Sequence, residues 1–254
     1  MKKHRLLFVF LITLCFTSCV DIEERYDFNA DGSCTVVNIF DMSKAVSVLM
    51  NLMTDSARAT PEFAMAKDTT LDFYSALPDS TADKLNAKDA AMAKNSKLRI
   101  NMDLNKDLMK ITLSHTARNA DSLKYYLEHF AKISSAGGAN AISRNSKRTP
   151  VFDAQNILSG EDYYIYEISS NKFYRSVDIS KFNAFLKKTA STFSMAKAML
   201  IETPYKVVLN FAKPVKKLNN PKAVLSADRK RVTIQTDMNE VIKNPRLMDI
   251  RIDF

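Results

Sequence analysis

KLRINMDLNKDLMKITLSHTARNADSLKYYLEHFAKI, residues 97–133, is the stretch that decides the predicted fold. Within 98–102 and again within 109–113, every second residue is apolar, and this period of two predicts two half-buried strands joined by a turn. Asn119 is then a predicted helix cap, and the apolar residues of 123–133 change to helical spacing. The stretch therefore predicts a β-hairpin followed by an amphipathic helix.

The same order of elements recurs on both sides of this stretch. Residues 25–53 and 161–200 each predict two strands and a helix, and residues 203–254 predict strands up to the last residue. These units favour an α+β fold of antiparallel sheets built from hairpins, with helices packed on one face. Residues 25–254 form one such domain or, with a boundary near 134–160, two subdomains.

The first nineteen residues have the pattern of an export signal. Lys2, Lys3 and Arg5 make a basic start, and the uncharged run LLFVFLITLCF follows at 6–16. This run matches the apolar region of a signal peptide and is shorter than the roughly 20 residues that a membrane-spanning helix needs. We therefore exclude residues 1–18 from the predicted fold.

The segment Phe16-Thr17-Ser18-Cys19 resembles the end of a bacterial lipoprotein signal. The resemblance implies cleavage between Ser18 and Cys19, with acylation of Cys19 as a lipid anchor in a bilayer. Several acyl chains would hold the protein on the membrane almost irreversibly. The acidic residues within 19–24 then predict a short tether between the anchor and the domain. An uncleaved anchor and an unlipidated signal are the alternatives to this interpretation.

Basic residues are concentrated at the end of the chain. Residues 203–254 hold eleven Lys or Arg against five Asp or Glu, whereas residues 19–202 are balanced. Such asymmetry indicates an anionic partner, a lipid or a glycan, or else a solvated lysine-rich face. An exported protein is not expected to meet nucleic acid. The candidate ligand-binding residues are Lys206, Lys213, Lys216, Lys217, Arg229, Lys230 and Arg231.

The sequence offers little for catalysis or metal binding. His115 falls in the core-facing phase of its predicted strand, and His129 falls on the helix side opposite the apolar stripe, a predicted solvated face. Cys34 lies in an apolar strand and is expected to be buried. One cysteine and two separated histidines do not predict a zinc site, and no phosphate-binding glycine motif is present. We expect no catalytic residues, metal or cofactor.

Two segments carry a resemblance to known families. RYDFNADGSCTVVNIFDMS at 25–43 and the ending at 214–254 resemble lipoproteins of the Bacteroidota. The order of a strand, an Asp-Gly turn, a strand, a helix and a late hairpin is more distantly similar to LppM-like lipoproteins. The resemblance implies an α+β fold and a place in the cell envelope, and it allows lipid or glycolipid binding.

The sequence thus predicts a lipid-anchored protein of the bacterial cell envelope, expected on the outer membrane. Its expected function is that of a non-catalytic binding or interaction module, whose partner is an envelope protein, a lipid or a glycan. The alternative is a hydrolytic enzyme acting on envelope polymers, with His115 and a carboxylate in the site.

Overall fold

Strands from both ends of the chain meet in one large sheet. The structure, a computed structural model, describes residues 20–58, 60, 66–137, 162–198 and 203–254. The strands are β1 (Asp21–Phe28), β2 (Cys34–Asp41), β3 (Ala66–Asp72), β4 (Ser96–Asp103), β5 (Leu108–Ala117), β6 (Tyr164–Ser169), β7 (Lys172–Val177), β8 (Pro204–Phe211), β9 (Lys217–Asn219), β10 (Ala223–Leu225), β11 (Arg231–Asp237) and β12 (Ile250–Asp253).

Helices lie between these strands. The α-helices are α1 (Ser43–Leu52), α2 (Asp55–Arg58), α3 (Phe73–Ala76), α4 (Asp79–Ala82), α5 (Ala87–Lys94), α6 (Ala120–Gly137), α7 (Ile179–Ala198) and α8 (Met238–Lys243). Short 3₁₀ turns lie at Leu104–Lys106 and Pro245–Met248.

The strands form two sheets. The larger has eight strands in the order β10-β11-β8-β1-β2-β5-β4-β3, and the smaller has four in the order β6-β7-β12-β9. Every pairing is antiparallel except that of β1 with β8. The predicted α+β class with antiparallel sheets is confirmed.

The stretch at 97–133 folds as its periodicity predicts. β4 and β5 pair from Ser96 with His115 to Asp103 with Leu108, and α6 follows. The side chain of Asn119 accepts a hydrogen bond from the backbone N–H of Ser122 at 2.9 Å, as a helix cap does. The local period therefore determines these elements.

The first strand begins earlier than the sequence indicates. Residues 21–24, interpreted as part of an acidic tether, form the first half of β1, so that part of the interpretation is wrong. Glu24 is fully buried. An acidic cluster favours solvent by composition, and here the pairing of β1 with β2 and β8 overrides that preference.

One face of the large sheet is buried and the other is polar. Along β2, buried Cys34, Val36, Asn38 and Phe40 alternate with partly exposed residues. Helix α1 covers one end of this face, where Met50 belongs to the same cluster as Phe40. Helices thus pack on one face of the sheet, as predicted.

The small sheet covers the other end of the same face. Tyr26 of β1 contacts Phe173 of β7 with ring centroids 5.2 Å apart, and Phe28 contacts the same ring at 5.6 Å. Burying an aromatic side chain contributes roughly 1.5–3 kcal/mol, so this contact helps to hold the two sheets together.

Some sequence predictions fall on residues outside the described ranges. They include the signal at 1–18, the cleavage residue Ser18, the anchor Cys19 and most of the predicted boundary at 134–160. The boundary's first residues, 134–137, belong to α6. Among the described helices, none combines the length and the apolar character needed to cross a bilayer.

Candidate functional site

The end of the large sheet beyond Phe211 gathers five of the predicted basic residues. The loop 212–216 follows β8, and the turn 226–230 precedes β11. The backbone N–H of Phe211 donates to the carbonyl of Lys230 at 2.8 Å, and that of Val215 donates to the carbonyl of Arg229 at 2.7 Å. The two segments are therefore joined. We call the basic residues of these two segments, together with Lys217 at the start of β9, the basic cluster: Lys213, Lys216, Lys217, Arg229 and Lys230.

Arg229 fixes the shape of the cluster. It adopts a left-handed backbone conformation with φ 57°, which few residues other than glycine do. Its guanidinium Nε donates to the carbonyl of Val215 at 2.9 Å, and Nη2 donates to the carbonyl of Lys216 at 3.3 Å. The arginine side chain thus ties the turn to the loop.

Asp228 is the acidic member of the same turn. Its Oδ1 accepts from the hydroxyl of Ser226 at 2.5 Å and from the backbone N–H of Lys230 at 3.1 Å. These hydrogen bonds, the one from Ser226 first, hold the pKa of Asp228 below its ordinary value. The carboxylate is therefore charged at neutral pH, and the positive charge of Lys230 also contributes to its lowered pKa.

The lysines of the basic cluster are exposed. Lys213, Lys217 and Lys230 take part in none of the ion pairs found among the described residues. Lys216 donates from Nζ to the carbonyl oxygen of Phe254 at 3.3 Å. Exposed cations without a carboxylate partner are available to an anionic ligand.

Of the other two predicted residues, Lys206 lies elsewhere and Arg231 borders the basic cluster. Lys206, near the start of β8, forms an ion pair with Glu23 at 3.1 Å on the polar face of the large sheet. Arg231 opens β11 opposite Asn210 and is exposed beside buried Val232. The structure therefore divides the predicted set, and Lys206 in particular is separated from the basic cluster by the length of β8.

The basic cluster lies at the end of the large sheet opposite the start of β1. Because β1 and β8 are parallel, Ile22 lies beside Tyr205 and Phe28 lies beside Phe211. The basic cluster follows Phe211, whereas Cys19 precedes β1. At about 3.3 Å per residue, Asp21 and Phe28 are about 23 Å apart.

A second charged group is buried between the two sheets. Arg175 of β7 donates from Nη1 to Glu24 Oε2 of β1 at 2.5 Å, and the Tyr26 hydroxyl donates to the same oxygen at 2.9 Å. The guanidinium also lies 4.3 Å from the ring centroid of Tyr164. Arg175 Nε donates to the carbonyl of Met248 at 3.4 Å.

The electrostatics of this buried pair keep Arg175 charged. Burial alone would lower the pKa of the guanidinium, and the Glu24 carboxylate with the nearby tyrosines more than offsets that effect. The pKa of Arg175 therefore lies above its ordinary value. A buried charge needs such a partner, because an unpaired one costs several kcal/mol.

Sequence reasoning missed this pair, although a signal was present. Arg175 shares the core-facing phase of β7 with Phe173, and Glu24 shares that of β1 with Tyr26. Two opposite charges in core-facing phases of separate strands indicate a buried ion pair.

His115 occupies a core position, as the strand pattern predicts. Its Nδ1 lies 3.0 Å from the Ser96 hydroxyl, and its ring stacks on Tyr126 with centroids 4.1 Å apart. Burial lowers the pKa of His115 to about 4. The imidazole is neutral at pH 7, and its hydrogen-bond partner is a serine rather than a carboxylate.

The prediction of a solvated His129 holds only in part, because the side chain is 34% exposed and is also paired. Its Nδ1 lies 3.0 Å from Asp89 Oδ1, which also accepts from the Tyr125 hydroxyl at 2.6 Å. The His129 and Tyr125 rings stack at 3.9 Å. Partial burial, together with the hydrogen bond to Asp89, raises the pKa of Tyr125 to about 12. The group joins α5 to α6.

Two further properties bear on chemistry. Burial raises the pKa of the Cys34 thiol, and its predicted burial is confirmed. In the part of the chain that the structure describes, no three His, Cys, Asp or Glu side chains come close enough to hold a metal ion.

The comparisons with known proteins assign the chain to no family. No protein-family model matches the chain. A search of curated proteins finds no match. The chain is similar to the NMR structure of the folded domain of LppM from Mycobacterium tuberculosis, with a TM-score of 0.37 and 7% identity, covering 86% of this chain and 82% of that one. At this similarity, no residue role or ligand carries over.

Proposed function

We propose that this chain is a lipid-anchored protein of the bacterial cell envelope, held by Cys19, whose α+β body is a non-catalytic binding module. The observation that carries the proposal is the sequence Phe16-Thr17-Ser18-Cys19, which follows a basic start and a short apolar run.

The start of β1 is compatible with this anchor. Asp21 is the first residue of the strand and lies two positions after Cys19. Acylation of Cys19 would therefore attach the lipid almost directly to a strand in the middle of the large sheet. The body would sit close to the bilayer, with the start of β1 facing it.

The test is the intact mass of the protein made in a bacterial host, with a radiolabelled fatty acid in the medium. The wild type should begin at residue 19 and carry acyl chains, and it should fractionate with the membrane. Cys19→Ala should lose the label and the added mass.

Ser18→Ala is the matched control, because it changes the neighbouring residue and keeps the thiol. It should remain acylated. A wild type without acyl chains, or a Cys19→Ala variant that keeps the label, would contradict the proposal.

A further inference from the structure

The basic cluster is a strongly charged surface at the end of β8 opposite the start of β1. Loop 212–216 and turn 226–230 are joined by backbone hydrogen bonds and by Arg229, and Lys217 opens β9 directly after the loop, so the lysines project from a fixed frame. Lys213, Lys217 and Lys230 form no direct ion pair among the described residues. The nearest carboxylates identified are Asp228, which is influenced by the charge of Lys230, and Asp253, which lies opposite Lys217 in the small sheet.

From this we infer that the basic cluster binds an anionic polysaccharide that approaches from the side away from the protein's own membrane. This inference rests on the proposed function, since the anchor at Cys19 defines which side the membrane is on.

The position of the cluster disfavours the protein's own bilayer as the anion. Asp21 and Phe28 are about 23 Å apart along β1, and the cluster lies beyond Phe28's neighbour Phe211. Attraction between charges is largely screened beyond about 8 Å at physiological ionic strength. Anionic headgroups at the anchor would therefore contribute little to the cluster.

The arrangement of the cations favours a polymer over a small anion. The exposed ammonium groups of Lys213, Lys217 and Lys230 lie on three different segments, which are loop 212–216, β9 and turn 226–230. Each lysine forms only a weak contact with an anion in water. A polymer that carries one charge per sugar or two can meet several lysines at once and release several counterions, so the weak contacts add.

The test uses the purified full-length protein in detergent, which makes the binding assay independent of the anchor. Polygalacturonate is the anionic probe and dextran is the neutral one. We expect binding to polygalacturonate that weakens with salt, and no binding to dextran. The triple variant Lys213→Ala/Lys217→Ala/Lys230→Ala should bind at least about tenfold more weakly, with a smaller salt dependence.

The matched control is Lys84→Ala/Lys97→Ala/Lys132→Ala. These lysines are also exposed and outside every ion pair among the described residues, so the net charge falls by the same amount. This control variant should bind polygalacturonate with an affinity close to that of the wild type. An equal loss in both triple variants would reduce the effect to net charge and overturn the inference.

Vesicles containing phosphatidylglycerol test whether lipid headgroups, rather than a polysaccharide, supply the anionic groups. The inference predicts that the cluster variant changes polygalacturonate binding and leaves vesicle binding unchanged. Cluster-dependent binding to vesicles, with none to polygalacturonate, would overturn it. Polygalacturonate binding by a protein that proves to be unlipidated would refute the anchor and leave the surface intact, so the two failures are distinguishable.

Discussion

The buried pair of Arg175 and Glu24 and the exposed basic cluster use the same kind of side chain under opposite conditions. Arg175 is fully buried, and its charge is matched by Glu24 and surrounded by tyrosines. The lysines of the basic cluster are exposed and form no direct ion pair with an acidic side chain among the described residues. The comparison shows that a charge strongly affects the free energy of unfolding where water is excluded. Where water is present, a charge contributes little to stability and is accessible to a ligand.

The largest expected effect comes from breaking the buried pair. Arg175→Met should lower the free energy of unfolding by about 3–5 kcal/mol, because it leaves the Glu24 carboxylate buried without its partner. Lys217→Met, which removes a charge from the basic cluster with the same new side chain, should change it by no more than about 0.5 kcal/mol. Urea denaturation of both variants measures the contrast.

The double variant Glu24→Gln/Arg175→Met tests the cause of that loss. With no charge left in the interior, it should be more stable than Arg175→Met alone. A double variant as unstable as the single one would show that packing rather than charge is responsible.

A smaller effect is expected from the buried His115. Its pKa is lowered to about 4, so between pH 6.5 and 4 the unfolded chain binds a proton that the folded chain does not. The free energy of unfolding is unaffected by this titration above pH 6.5. It falls as the pH falls from 6.5 towards 4, and the loss is constant below pH 4. The loss amounts to at most about 3 kcal/mol.

The measurement compares unfolding of the wild type and His115→Gln by denaturant across this pH range. The difference between the two should change with pH, because only the wild type has the titrating group. Parallel curves would contradict a buried, neutral imidazole. Carboxylates elsewhere are common to both proteins and cancel in the difference.

The local sequence pattern was sufficient to predict the hairpins. It was insufficient to predict how the hairpins pair with one another in the sheets. The strands and helix of 97–133 follow from the period of their apolar residues, which neighbouring positions determine. The parallel pairing of β1 with β8 brings together strands from opposite ends of the chain, and no short-range signal specifies it. The early start of β1 was missed for the same reason, since pairing on both sides holds residues 21–24 in the sheet.

The candidate site was predicted as a segment and not as a surface. The excess of basic residues in 203–254 points to the part of the chain that contains the basic cluster. The sequence does not show that Arg229 ties loop 212–216 to its own turn, or that Lys206 pairs with Glu23. Those contacts depend on the sheet order, which places β11, β8 and β1 side by side.

The most direct test of the account is the depth of the basic cluster relative to the bilayer. The lipid-anchored protein would be labelled with a fluorophore at Lys213→Cys or at Lys44→Cys, in vesicles whose headgroups carry a quencher. Lys44 Nζ lies 3.5 Å from Asp21 Oδ2, so residue 44 marks the start of β1. Cys34 is buried and therefore does not compete for the label. The account predicts strong quenching at residue 44 and weak quenching at residue 213. Equal quenching at the two positions, or stronger quenching at residue 213, would contradict it.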